Sequence, residues 1–204
     1  MTFVFYVLVT VLGILSMGFQ LLGSRLLNPH FGSSIIVWAW LISTFLAAFS
    51  AGSLLGGWVS QRPVPGRGRA QLALAAVGLG SLAFTTFLGR PMLGWIEVTF
   101  TSMGVGLLVA NVSLFLVPVT VLSSFGPQCV QFLSGRGTPA GVASGAVYGV
   151  STLGNIAGVM LTAFLLIPNL PVSTLLRLWL AVAAVSLLAL IFLLRPSATS
   201  TLRR

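Results

Sequence analysis

The stretch QLLGSRLLNPHFGSSIIVWAWLISTFLAAFSAGSLLGG, Gln20 to Gly57, decides how this chain folds. It holds the end of one apolar run, a compact polar turn with Arg25, Pro29 and His30, and a second apolar run that closes on glycines. At 1.5 Å per residue, a helical run of about 20 residues has the length needed to cross a hydrocarbon core about 30 Å thick. Two such runs joined by so short a turn make a transmembrane helical hairpin.

The rest of the sequence agrees with that opening. Of 204 residues, 57% are hydrophobic and only 5% are charged. Ordinary globular chains carry about 25% charged residues, so these residues cannot build a water-facing surface. The sequence predicts an all-α integral membrane protein, one domain over 1–204, with about six transmembrane helices. They are placed near 3–22, 33–57, 70–89, 103–123, 142–167 and 174–194. The segment RPMLGWIEVTFTS (90–102) is too short and polar to cross, and with Trp95 and Glu97 it is expected to lie at the interface. The N-terminus lacks a basic region, and its apolar run from Phe3 is long enough to span, so it is read as a retained first helix.

The formal charge is +9, from ten arginines against the single acid Glu97. The arginines are scattered among short segments rather than clustered with aromatics, which argues against nucleic acid and for a role in topology. Arg62, Arg67, Arg69, Arg136, Arg195, Arg203 and Arg204 share a side with the termini, whereas Arg25, Arg90 and Arg177 fall opposite. That imbalance places both termini in the cytoplasm, as in a bacterial inner membrane.

Small residues four apart mark faces on which helices can approach closely: Gly52 with Gly56, Gly145 with Gly149, and Gly154 with Gly158. The second and fifth helices are therefore expected at the packed centre. Three helices in each half match an inverted repeat in number, although the similarity between the halves is too slight to argue one.

Polar residues inside apolar helices are the usual pointers to function. Gln20, Asn111 and Asn155 lead, as amides that bridge helices first and contact a substrate second. Pro118 should interrupt the fourth helix and free the carbonyl of Leu114, with Asn111 and Ser113 near enough to repair the kink. Arg25 is expected to be an interface anchor, or else a contact for an anionic group. His30, the lone histidine, reads as a turn residue capping local backbone, and only weakly as an axial ligand. Glu97 and Arg90 are expected to be neighbours. Cys129 stands alone, so internal disulfides and Cys-based metal clusters are excluded. Gly78, Gly80 and Ala83 match a dinucleotide fingerprint in spacing, but they sit inside an apolar helix with no preceding strand. No catalytic constellation, metal site or cofactor is expected. The expected partners are the bilayer and other membrane proteins.

Three blocks carry a resemblance. QLLGSRLLNPHFGSSIIVWAWLI (20–42), GGWVSQR (56–62) and SGAVYGVSTLGNIAGVMLTAFLLIP (144–168) are similar to the membrane half of the fused MFS/spermidine synthase-like family. In that family a soluble aminopropyltransferase-like domain usually follows, and this sequence stops after the sixth helix without one. Where the family commonly has acids, this sequence has Gln20 and Gln61. The resemblance thus implies a non-catalytic structural or accessory subunit of a larger membrane complex. The alternatives are a small-solute transporter or exporter, and the membrane half of a split spermidine synthase-like enzyme.

Overall fold

The computed structural model describes residues 2–194 and is helical throughout, with no strand among them. Six helices are each long and apolar enough to cross a membrane. They are α1 (Thr2–Phe31), α2 (Ile35–Ser60), α3 (Val64–Thr99), α4 (Met103–Ser134), α5 (Ala140–Asn169) and α6 (Val172–Leu194). The connections are so short that successive helices run antiparallel. Of the arginines used to argue topology, Arg195, Arg203 and Arg204 lie outside the described residues.

Several helices run on past the expected ends, because polarity rises before the backbone stops being helical. The stretch around Arg25, Pro29 and His30 is the last two turns of α1 rather than a loop. The helix stops at Gly32, whose φ of 73° is left-handed backbone that glycine adopts without a Cβ penalty, and whose N–H closes on the Asn28 carbonyl at 2.9 Å. Likewise residues 90–99 continue α3 instead of forming a separate interfacial segment. Leu93 and Ile96 are fully buried there, so this part is held by packing. Arg25, Arg90 and Arg177 accordingly stand within helices and not in loops.

Two parallel helix pairs form the frame. A Cβ on Gly56 would collide with the Ser124 backbone, and one on Gly52 would collide with Ser123 and the Thr120 carbonyl, so α2 is seated directly on α4. A Cβ on Gly154 would meet Thr10, and one on Gly158 would meet Ile14, which seats α5 on α1 in the same way. In both pairs the register advances four residues in one direction, so the partners run parallel. The first helix of each half therefore receives the second helix of the other half, the relation that an inverted three-helix repeat produces. Gly145 and Gly149, expected at the packed centre, have no neighbouring atom within 4 Å. They point away from this chain's own helices, a correction to the reading of their spacing.

The core fills the space between these pairs. Phe19, Phe45 and Phe115 meet from α1, α2 and α4, with ring centroids 5.6 to 6.1 Å apart. Such aromatic contacts contribute roughly 0.5–1.5 kcal/mol each beyond area burial. On the far side Trp179 of α6 reaches over Gly18 and donates its indole N–H to the Leu15 carbonyl at 3.1 Å.

Two widened, π-helical turns precede prolines: 112–116 before Pro118 in α4, and 161–166 before Pro168 in α5. Proline cannot donate to the carbonyl four residues back, and a wider turn accommodates the loss. The Leu114 carbonyl freed by Pro118 accepts from the Thr85 hydroxyl of α3 at 2.6 Å. The repair thus comes from another helix. Asn111 and Ser113 instead bond carbonyls of their own helix, Leu107 and Val109.

Candidate functional site: a cavity between four helices

The parallel pairs leave a gap where α1, α2, α4 and α5 face one another, and a cavity of about 220 Å³ occupies it. Ser16, Ser53, Ser123, Tyr148, Ser151, Thr152 and Asn155 supply its polar lining, and Val9, Leu12, Phe49, Leu122 and Val147 supply apolar walls. At roughly 30 Å³ per water, the space suits a small solute or a few waters.

The hydrogen bonds decide what such a lining can recognise. Ser16 donates to the Leu12 carbonyl at 2.8 Å, and Thr152 donates to the Tyr148 carbonyl at 2.8 Å. Ser123 donates to the Ala48 and Thr120 carbonyls at 3.2 and 3.1 Å. With those three protons committed, the Ser16, Ser123 and Thr152 oxygens remain as acceptors. Oδ1 of Asn155 is buried and has no partner among the described residues. Leaving such an acceptor unsatisfied costs about 1–3 kcal/mol. The hydroxyls of Ser53, Tyr148 and Ser151 and the Asn155 amide N–H groups donate to no described residue, so the cavity is uncharged and offers both donors and acceptors, suited to a neutral polar solute. No acid is present in it to balance a cation.

Of the polar residues singled out in the sequence, only Asn155 lines this cavity. Gln20 is half-buried on α1 and does not contribute to the lining. Asn111 is 0% exposed within α4, and Pro118 lies in the packing between α3, α4 and α6. Gln20, Asn111, Asn155 and Pro118 thus do not come together around one space. Sequence reading missed Tyr148, Ser151 and Thr152, since hydroxyls in membrane helices usually satisfy themselves on their own backbone.

Other polar residues serve the bundle. Gln71 of α3 donates its amide to Gln128 Oε1 of α4 at 2.8 Å, a buried bridge between helices that the sequence did not disclose. His30 of α1 pairs through Nδ1 with Glu97 Oε2 of α3 at 2.7 Å. That pairing replaces both the expected Glu97–Arg90 contact and the local capping role of His30. With the side chains 20% and 50% exposed, the pair ties two helix ends and contributes about 1 kcal/mol at most. Gly78, from the rejected fingerprint, meets the Val121 side chain and closes α3 onto α4. Cys129 is buried at the cavity wall as a free thiol. Among the described residues no group of three His, Cys, Asp or Glu side chains comes together to hold a metal.

At the helix ends nearest the N-terminus, guanidinium groups do two local jobs. Arg67 donates to the Ser60 and Arg62 carbonyls at 2.6 and 3.2 Å, covering the C-terminal end of α2. Arg62 lies over the Trp58 ring, 3.7 Å from its centroid. No protein-family model, curated protein or solved structure matches the chain.

Proposed function

We propose that this chain is a non-catalytic, multi-pass subunit that packs against another membrane protein, through the outward face of α5, in a bacterial inner membrane with both termini cytoplasmic. One observation carries the reading. The bundle uses glycines four apart twice to bring helix backbones together, and the third such pair, Gly145 and Gly149, has open space before it. In lipid, close backbone approach at small residues is a main source of helix association. Leu153, Ile156, Met160 and Phe164 are exposed farther along the same helix. The resemblance to the membrane half of the spermidine synthase-like family fits an accessory role, since the acids are replaced by Gln20 and Gln61.

The test is purification of the tagged protein from native membranes in mild detergent. The wild type should retain a second integral membrane protein, and Gly149→Leu should lose it while keeping the same thermal midpoint. A lone monomer in both samples would remove the proposal. A soluble methyltransferase-like chain recovered instead would mark the split-enzyme alternative.

The uncharged polar cavity favours a second reading, a transporter or exporter of a small neutral solute. Here Asn155→Leu should reduce flux in proteoliposomes at least ten-fold, the order expected for losing a buried polar contact. Absence of flux across a panel of neutral solutes, with folded protein, would set the transporter aside.

A further inference from the structure

At the end of the bundle away from the N-terminus, a second groove of about 290 Å³ lies between α1, α2 and α5. Its floor is apolar, built from Leu21, Val37 and Ile167. Arg25, Asn28, Ser33 and Trp38 stand around it. The Arg25 guanidinium makes no hydrogen bond or ion pair with any described residue, and the chain's only acid, Glu97, is held by His30. An exposed cation beside two small polar side chains, over an apolar floor and next to a tryptophan, is a binding geometry that no packing need of the bundle explains.

Depth narrows the ligand. Arg25 lies about nine residues beyond the middle of α1, or ~13 Å along the axis. A hydrocarbon core about 30 Å thick, centred on the bundle, would end ~15 Å from its middle. The guanidinium therefore sits where acyl chains give way to glycerol and phosphate, and indole rings such as Trp38 favour the same level. Guanidinium offers paired donors to phosphate oxygens, and Asn28 and Ser33 have polar groups for the rest of a headgroup.

We infer that the groove between α1, α2 and α5 is a specific site for an anionic phospholipid, with Arg25 on its phosphate and Leu21, Val37 and Ile167 under its acyl chain. The site does not depend on what partner or solute the protein serves.

The experiment adds phosphatidylglycerol, phosphatidylcholine or inorganic phosphate to the delipidated full chain in detergent and reads the thermal midpoint. Phosphatidylglycerol should stabilise the wild type and Arg177→Gln, a control that removes an exposed arginine outside the groove. Arg25→Gln should bind it about five-fold more weakly, the loss expected for one cation at a lipid surface. Equal responses to the two lipids, or equal loss with Arg177→Gln, would overturn the site. Stabilisation by inorganic phosphate alone would show an anion site without a lipid. If Arg25→Gln does not fold, brominated phosphatidylglycerol should quench wild-type fluorescence more than brominated phosphatidylcholine does. That difference should vanish in Trp38→Phe, and its persistence there refutes the proposal.

Discussion

Gly56→Ala and Gly158→Ala should each destabilise the bundle by about 2–3 kcal/mol. Alanine in place of glycine normally favours a helix by up to about 1 kcal/mol, so the expected sign is opposite to propensity. The reason is where the new methyl would go. On Gly56 it would lie 2.8 Å from the Ser124 carbonyl carbon and 3.0 Å from its Cα, and on Gly158 it would lie 2.7 Å from the Ile14 Cα. These are backbone atoms of a packed helix, and they cannot rotate aside. The helices must separate, and contact is then lost along α2 and α4, or along α5 and α1. Unfolding in mixed micelles of mild detergent and sodium dodecyl sulfate reads the effect. Gly145→Ala and Gly149→Ala, which meet nothing within 4 Å, are the comparison and should be neutral or slightly stabilising. Were all four variants to behave alike, the assignment of packed and open glycine faces would be wrong.

Thr85→Val should cost about 1–2 kcal/mol, although it keeps the shape and volume of a side chain that is 1% exposed. The hydroxyl satisfies the Leu114 carbonyl, which Pro118 deprives of its helical donor. Valine leaves that carbonyl buried and unpaired. In a Pro118→Ala background the backbone N–H at 118 becomes available, and the cost of Thr85→Val should fall to well under 1 kcal/mol. A double-mutant cycle isolates this coupling because each single change removes one side of it. Equal costs in both backgrounds would mean that the Thr85 bond is not what repairs the helix.

These residues also show how far the sequence could be read. Pro118 is enough to say that the Leu114 carbonyl loses its donor, because that follows from local backbone chemistry. Finding Thr85, 29 residues away on another helix, requires the fold. The same holds for His30 with Glu97, separated by 67 residues, and for Gln71 with Gln128, separated by 57. Glycines four apart declare a face that permits close approach, yet the spacing carries no information on whether a helix stands before it. Gly52, Gly56, Gly154 and Gly158 found partners inside the chain, and Gly145 and Gly149 did not. Helix ends were misplaced at Arg25 and Arg90 for a related reason. Hydropathy tracks where side chains leave the apolar layer, whereas a helix ends where backbone hydrogen bonds stop.

By itself the sequence determined what depends on composition and local chain chemistry: an all-helical fold, six helices long and apolar enough to cross a membrane, the glycines that make close packing possible and the proline that deprives Leu114 of its helical donor. Only the tertiary structure decided which of those faces meet, that the two halves seat one another through parallel α2–α4 and α5–α1 pairs, and that Asn155 and Arg25 border different cavities. Spans are set by the energy of moving residues out of water, which is nearly additive along a chain. Contacts between helices depend on rotation about each axis and on register, to which an almost uniformly apolar surface gives the sequence very little handle.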